Sequence, residues 1–475
     1  MNRVWLALGL VLFGLSAAQA QVAAPPAIPP ELALDRTLPI DPAVKSGKLP
    51  NGITYFIREN KRPANRVSMR LAVNAAAIQE DDNQRGLAHF IEHMAFNGSE
   101  HFKPGELVSF LESIGARFGP HVNASTSFDE TVYMLEIPTD RQGYVDKGMT
   151  VLQDFAGGIS FLPEEVEKER GVVLEEWRGR LGAGSRLTDK QLPVILQGSR
   201  YADRLPIGLP DILRTAPRER LLSFYQKWYR PDRMAVIIVG DVPVAEAEKM
   251  IAAHFSGIPA AKGTVTEVEA SVPAHKDTLI NMATDPEAQG WSVSVEFKHK
   301  AQEDGTVRNY RKSLAESLLS SMFSLRLSDL SRRPNAPFIG AQAGSSGIGR
   351  SLSLFELEAA VPEGKITEGL GALMTEAKRV QQFGFTDDEL NRAKAALLAG
   401  YERAFKERET SESANYANEY VRHFLTKEPI PGMDVEYKVA SLYLPTITNA
   451  EISALAKSLI TDDNRVVLGV APEKK

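Results

Sequence analysis

The chain has no cysteine among its 475 residues. This absence excludes disulfide bonds, thiolate catalysis, cysteine zinc ligands and a lipidated cysteine behind a signal peptide. Histidine is also scarce, with eight residues in the chain, so two of them inside one short motif are not expected by chance. The net charge of −6 gives no electrostatic case for a nucleic-acid partner, and we expect none.

Long apolar stretches are absent after the first twenty residues. Asn2-Arg3 gives a short basic start, an apolar run covers Trp5 to Leu15, and Ala18-Gln19-Ala20 supplies a small-x-small cleavage site. This pattern predicts a secretory signal peptide over residues 1–20. The run is too short to span a bilayer. We therefore expect an exported, unlipidated periplasmic protein whose mature chain does not insert into the membrane.

Composition divides the mature chain into two domains. Residues 21–45 are rich in alanine and proline, which predicts an extended, poorly ordered leader. Residues 258–275 have no helical period and several small residues, so we predict the interdomain linker there. The expected domains are then residues 46–257 and residues 276–475.

The second domain repeats patterns of the first. Residues 161–176 match residues 385–400 at an offset of 224, and residues 232–242 are similar to residues 464–474. Both matches occur in the same order and at nearly the same offset. They predict an internal duplication of one α+β domain.

The strongest chemical signal is the segment GLAHFIEHMAFNG at residues 86–98. On a helix, His89 and His93 lie one turn apart and point the same way. Two imidazoles at this spacing can both reach one zinc ion at roughly 2.0–2.1 Å. Glu92 falls on the same side, where it can act on a water molecule at the site. The motif has the order of an inverted zincin signature.

A catalytic zinc normally takes three protein ligands and leaves one position open. Without cysteine, the third ligand must be histidine, aspartate or glutamate. The helix predicted from Pro163 carries Glu169 and Glu176 two turns apart on one arc with Val166 and Val173. Charged groups within an apolar arc are costly unless they are paired. Periodicity does not decide which of the two carboxylates binds the metal.

The His-Phe-Ile-Glu-His motif, followed by Glu-Arg-Gly-Val-Val-Leu-Glu-Glu at residues 169–176, resembles the pitrilysin/insulinase family of inverted zinc proteases. The bacterial periplasmic branch is the most similar, through segments such as NASTSFDETVYML and EEWRGRL. The resemblance implies that Glu176 is the third ligand of a single Zn²⁺ per chain. It also implies that Glu169 orients the ligands and the site water.

The same resemblance implies the fold and the reaction. Each domain would be an α/β sandwich with a mostly antiparallel sheet, and the two together would form half of a clamshell. Glu92 would act as general base in hydrolysing internal peptide bonds of small or unfolded polypeptides. Asn123, Ala124 and Ser125 would bind the substrate backbone along an edge strand.

The second domain is expected to lack a metal site. At the offset of 224, Glu169 corresponds to Ala393 and Glu176 to Gly400. Family members also use an arginine and a tyrosine opposite the zinc, but Phe338 stands where the tyrosine would be. A homodimer or a further homologous half could supply this pair. The alternative to a complete enzyme is therefore a peptide-binding half that needs a partner for turnover.

Overall fold

The computed structural model describes residues 28–179, 182–268, 270–302 and 305–473. The predicted signal peptide and the first residues of the leader lie outside these ranges. In the described part of the chain, no helix is both long and apolar enough to cross a membrane.

The first domain contains the elements up to residue 255. Its strands and helices follow in this order: β1 (Lys45–Lys48), β2 (Thr54–Glu59), β3 (Arg66–Val73), α1 (Leu87–Met94), α2 (Glu106–Ser113), β4 (Val122–Thr126), β5 (Thr131–Pro138), α3 (Tyr144–Gly157), α4 (Pro163–Gly179), α5 (Ala183–Ile195), α6 (Pro210–Thr215), α7 (Arg218–Trp228), β6 (Met234–Gly240) and α8 (Val244–Phe255).

The second domain follows the same general plan with longer helices. Its elements are β7 (Leu279–Asp285), β8 (Trp291–Lys300), α9 (Val307–Ser331), β9 (Gly340–Ile348), β10 (Leu352–Val361), α10 (Ile366–Phe383), α11 (Asp387–Glu407), α12 (Ser413–Thr426), α13 (Met433–Tyr443), α14 (Asn449–Leu459) and β11 (Arg465–Pro472).

Each domain has one sheet, and the two sheets have corresponding strand orders. The order is β1-β2-β6-β3-β5-β4 in the first and β7-β11-β8-β10-β9 in the second. The pairs β2–β6 and β7–β11 are parallel. The other neighbouring pairs of the described strands are antiparallel. The predicted α+β class, with two mostly antiparallel sandwiches, is confirmed.

The two domains exchange helices across their interface. Helix α12 of the second domain packs on β3 and β6 of the first. Helix α5 of the first domain packs in turn on β7 and β11 of the second. This exchange explains why β6 is buried along its whole length. A strand covered on both faces is expected to be a continuous apolar run, and the sequence Met-Ala-Val-Ile-Ile-Val-Gly is one.

The expectation of a poorly ordered leader is wrong for residues 28–45. Leu32 and Leu38 are almost fully buried in the apolar core of the second domain. The hydroxyl of Tyr443 donates a hydrogen bond to the backbone oxygen of Leu32, at 2.7 Å. The prediction relied on alanine and proline content and overlooked these two leucines, whose burial stabilises the segment.

The described residues between α8 and β7 form no helix or strand. Arg230 donates hydrogen bonds to the backbone oxygens of Lys262 and Gly263, which hold the start of this segment against the first domain. The linker at 258–275 and the domain boundaries that follow from it stay predictions.

Candidate metal centre

Helix α1 carries two imidazoles that face each other. The Nε2 atoms of His89 and His93 are 3.3 Å apart, and their rings meet edge to face. The neighbouring apolar side chains of the helix are buried in the first core: Leu87, Phe90, Ile91 and Met94. Burial of this apolar surface leaves one polar side of α1, which carries both histidines.

Helix α4 lies beside α1 and brings Glu176 to the two imidazoles. Its Oε2 atom is 3.1 Å from His93 Nε2, and its Oε1 atom is 3.6 Å from His89 Nε2. A tetrahedral zinc with bonds of about 2.0–2.1 Å places its ligand atoms about 3.4 Å apart. The two imidazole nitrogens have about this spacing, and each oxygen of Glu176 lies at a similar distance from one of them. The Glu176 side chain is 44% exposed, so the cluster opens toward solvent.

Glu169 lies behind the cluster and contacts one of the histidines. Its Oε1 atom is 2.7 Å from His93 Nδ1, and its Oε2 atom accepts a hydrogen bond from the Asn97 side chain at 2.8 Å. Asn97 Nδ2 also donates to the backbone oxygen of His93. A carboxylate on Nδ1 selects the tautomer in which Nε2 is free to bind a metal.

The two carboxylates dominate the electrostatics of His93. Burial lowers the pKa of this imidazole, but hydrogen bonds and charge from Glu169 and Glu176 outweigh burial and raise the pKa to about 9. The centre is therefore an anionic pocket that stabilises a positive charge. A divalent cation satisfies the same carboxylates without a proton on the imidazole.

Glu92 faces the same space from α1, but its partners differ from those of Glu169. Its side chain is almost fully buried, and its Oε2 atom accepts a hydrogen bond from Thr126 Oγ1 at 2.6 Å. Burial raises the pKa of the Glu92 carboxyl, and the Thr126 hydrogen bond opposes that rise. Glu92 is thus a carboxylate held next to the cluster and available for proton transfer.

A cleft of about 610 Å³ joins the cluster to the edge of the sheet. Asn123, Ala124 and Ser125 line it together with His89, Glu92, His93 and Glu176. These three residues lie on β4, which is the last strand of its sheet. The lining also includes five apolar residues, which we call the apolar wall: Phe128, Leu192, Leu205, Pro206 and Ile207.

Sequence reasoning missed Asn97 and Thr126 as parts of the site. Asn97 lies one turn after His93, a spacing that could have suggested its contact. Thr126 directly follows Ser125, but its hydrogen bond to Glu92 depends on the packing of α1 against β4. No sequence spacing predicts that packing.

Phe338 lies far from solvent in the second domain. Its side chain is 1% exposed and belongs to the second apolar core. A phenylalanine has no hydrogen-bond donor. Phe338 therefore supplies no polar contact to a substrate, and its aromatic ring serves the packing of this core.

Two family profiles match the chain. The one described as Insulinase (Peptidase family M16) matches residues 55–180, and the one described as Peptidase M16 inactive domain matches residues 215–397. The first contains α1 and α4, and the second contains Ala393 but ends before Gly400. The chain belongs to the insulinase/pitrilysin family of peptidases, M16.

Two similar relatives carry PqqL in their names. A zinc protease PQQL-like protein of Arabidopsis thaliana is 33% identical over 428 residues, which are 90% of this chain and 42% of that protein. The probable zinc protease PqqL of Haemophilus influenzae is 30% identical over 469 residues, which are 98% of this chain and 49% of that protein. The chain thus spans about half the length of the curated relatives it matches.

The fold also matches a solved structure from this group. The crystal structure of the first half of the periplasmic protease PqqL from Escherichia coli has a TM-score of 0.87 and 27% identity. The match covers 92% of this chain and 93% of that one. The two-sheet arrangement described above is therefore that of an M16 clamshell half.

Proposed function

We propose that this chain is a zinc-dependent endopeptidase that hydrolyses peptide bonds in small or unfolded polypeptides in the periplasm. The convergence of His89, His93 and Glu176 at one point, with Glu92 beside them, supports this proposal most directly. The names of the relatives agree with it, since they are described as zinc proteases.

The donor set favours a catalytic site over a structural one. Structural zinc sites usually have four protein ligands, whereas catalytic sites have three and an open position. His89, His93 and Glu176 are three donors, and the cluster opens into the cleft. Zinc held by them would polarise the scissile carbonyl and lower the pKa of a water molecule.

Glu92 is proposed as the general base. In this role it takes a proton from the attacking water and later passes it to the leaving amine. Thr126 fixes one oxygen of Glu92, which leaves the other oxygen to face the reacting groups. Glu169 is a positioning residue that holds the His93 ring through Nδ1.

Strand β4 is proposed to bind the substrate backbone. An edge strand has backbone N–H and C=O groups that are available to an extended peptide. Along β4, Asn123 and Ser125 are exposed and Ala124 is half-buried. A peptide added to this edge would run past the metal ligands within the same cleft, and the apolar wall favours an apolar side chain next to the scissile bond.

A second candidate is a zinc-bearing half that binds peptides and needs a partner half for turnover. Two observations favour it: Phe338 is buried where the resemblance implies a tyrosine, and the chain spans about half of its curated relatives. The missing polar groups would then come from a second copy of the chain or from a further homologous half.

The periplasmic location is proposed from two sources. The predicted signal peptide at residues 1–20 directs export, and the similar structure from Escherichia coli is described as a periplasmic protease.

Cleavage of a quenched, unfolded peptide by the purified chain tests the proposal. Three samples are compared: the wild type, Glu92→Gln and a chelator-treated wild type, with zinc content determined for each. We expect cleavage only in the untreated wild type and a loss of roughly 10²–10⁴-fold in Glu92→Gln with zinc retained. Cleavage by Glu92→Gln at the wild-type rate contradicts the mechanism. One zinc per chain without turnover in the wild type supports the second candidate.

A further inference from the structure

Glu80 is a fully buried glutamate in the segment between β3 and α1. Its carboxylate contacts the start of the metal-binding helix. The backbone N–H of Gly86 lies 3.0 Å from both carboxylate oxygens, and the N–H of Ala88 lies 2.8 Å from Oε1. The backbone amide of Leu87 is a further donor to the same group.

The first N–H groups of a helix have no partners within the helix. A side chain at the N-cap position normally accepts one of them, but the N-cap of α1 is Gly86, in the left-handed conformation at φ 98°. Glu80 takes the place of that missing side chain from six residues upstream. A negative charge at a helix N-terminus is also favourable for the helix dipole.

Burial opposes the charge that these contacts favour. Burial raises the pKa of Glu80 to about 8, and the hydrogen bonds from the backbone of Ala88, Gly86 and Leu87 oppose this rise only in part. Both carboxyl oxygens face backbone donors, so these hydrogen bonds fix the orientation of the Glu80 side chain.

The backbone oxygen of Glu80 contacts two arginines that precede the apolar wall of the cleft in the chain. It accepts a hydrogen bond from Arg204 Nε at 2.9 Å, and a second guanidinium, that of Arg200, also donates to it. Arg204 directly precedes Leu205-Pro206-Ile207, which form part of the apolar wall of the cleft.

A close backbone contact completes this link. A Cβ atom built on Gly208 would lie 2.2 Å from the Cα of Gly86, so the loop after the apolar wall presses directly on the start of α1. The backbone N–H of Leu209 donates to the oxygen of Arg85 at 3.3 Å. The helix with the metal ligands and the wall of the cleft therefore share one anchor.

We propose that Glu80 is a positioning residue that holds α1 and the apolar wall of the cleft in their relative places. This inference rests on the proposed function for its effect on turnover, but its effect on zinc affinity does not depend on peptidase activity.

The test compares Glu80→Gln with Glu376→Gln. Glu376 is a matched control because it is also a buried glutamate, but it lies on α10 of the second domain and pairs with Arg379 at 2.6 Å. Zinc affinity is measured by chelator competition, thermal stability by circular dichroism, and kcat and KM with a quenched peptide. We expect both variants to lose thermal stability. We expect zinc affinity to fall only in Glu80→Gln, on the order of tenfold.

Glu80→Asp keeps the carboxyl group in a shorter side chain and serves if Glu80→Gln does not fold. Its zinc affinity should lie between those of the wild type and Glu80→Gln. Wild-type zinc affinity and kcat/KM in a folded Glu80→Gln variant would overturn the inference. If the wild type binds zinc without cleaving peptide, the proposed function fails, while the affinity comparison still decides the role of Glu80.

Discussion

The first and second domains have corresponding sheets but different helix pairs at the position of the metal centre. In the first domain, α1 has 8 residues and ends before Asn97-Gly98. In the second domain, α9 follows the corresponding strand and continues for 25 residues. The short helix leaves room for Asn97 to turn back onto Glu169, and a continuous helix has no equivalent turn.

Helices α4 and α11 are at corresponding positions in the sequences of the two domains. They begin at Pro163 and Asp387, which keeps the sequence offset of 224. The position of Glu169 is taken by Ala393, which is buried in the second apolar core, and the position of Glu176 by Gly400. The same architecture thus holds carboxylates in one domain and small residues in the other. The candidate metal centre therefore differs from the second domain in these side chains as well as in the length of α1.

The largest effect on zinc binding is expected when the two carboxylates of α4 are replaced by the residues at the corresponding positions of α11. We expect the double variant Glu169→Ala/Glu176→Gly to lose zinc binding, because two imidazoles would remain as the only protein ligands. Metal analysis of the purified variant checks this. The matched control is Glu164→Ala/Glu175→Gly, which makes the same changes on exposed positions of α4 and should keep its zinc. Equal zinc content in both double variants would contradict the assignment.

The reverse change should damage the second domain. Ala393→Glu places a carboxylate among the buried hydrophobic residues of the second apolar core. We expect the free energy of unfolding to fall by about 3 kcal/mol, measured by denaturant titration. The exposed change Lys378→Glu on α10 is the control and should have little effect. A stable Ala393→Glu variant that binds a second zinc would show that the second domain is closer to a metal site than the comparison indicates.

Replacing Phe338 by the tyrosine that the family resemblance implies should not increase peptide turnover. In Phe338→Tyr the added hydroxyl would enter the second core, where Phe338 is 1% exposed. We expect a loss of about 1–3 kcal/mol in unfolding free energy and no gain in peptide turnover. Increased turnover in this variant would mean that the aromatic ring reaches the substrate after all.

Some residues of the candidate metal centre could be predicted from the sequence more easily than others. The difference depends on how far apart in the chain the contacting residues lie. His89, Glu92 and His93 lie on one helix, so their spacing alone placed them together. Glu176 lies on a second helix, and periodicity left it equivalent to Glu169 until the family resemblance separated their roles. In the structure Glu176 approaches both Nε2 atoms and Glu169 approaches the Nδ1 of His93, which supports the roles proposed for them.

Contacts that depend on packing could not be predicted. Thr126 and Glu80 reach the site through the placement of β4 and of the segment before α1, which no helical period describes. The leader was predicted from its composition, but Leu32 and Leu38 bury themselves in a core formed by residues far along the chain. Average composition does not show where a few apolar residues will pack.

The smallest effect is expected from removing an ion pair that holds α5, one of the two exchanged helices. Helix α12 is held mainly by apolar contacts, whereas Arg186 of α5 forms two hydrogen bonds to Asp285, each 2.5 Å long. The Arg186 guanidinium lowers the pKa of Asp285 to about 2. A lowered folded-state pKa means that this stabilisation is present above pH of about 4 and is lost as the pH falls through about 2.

Denaturant titrations at several pH values test this contribution. Arg186→Gln should be less stable than the wild type at pH 5, and the difference should shrink as the pH approaches 2. Arg214→Gln, which removes an exposed ion pair on α6, is the control and should leave stability nearly unchanged. A difference for Arg186→Gln that stays constant from pH 5 to pH 2 would rule out ionised Asp285 as its source.

The most direct test is the zinc content of the purified wild-type chain, because among the described residues the proposed ligands His89, His93 and Glu176 all lie in the first domain. We expect one zinc per chain after loosely bound metal has been removed, and none in His93→Ala. Two zinc ions per chain, or one that survives in His93→Ala, would contradict this expectation.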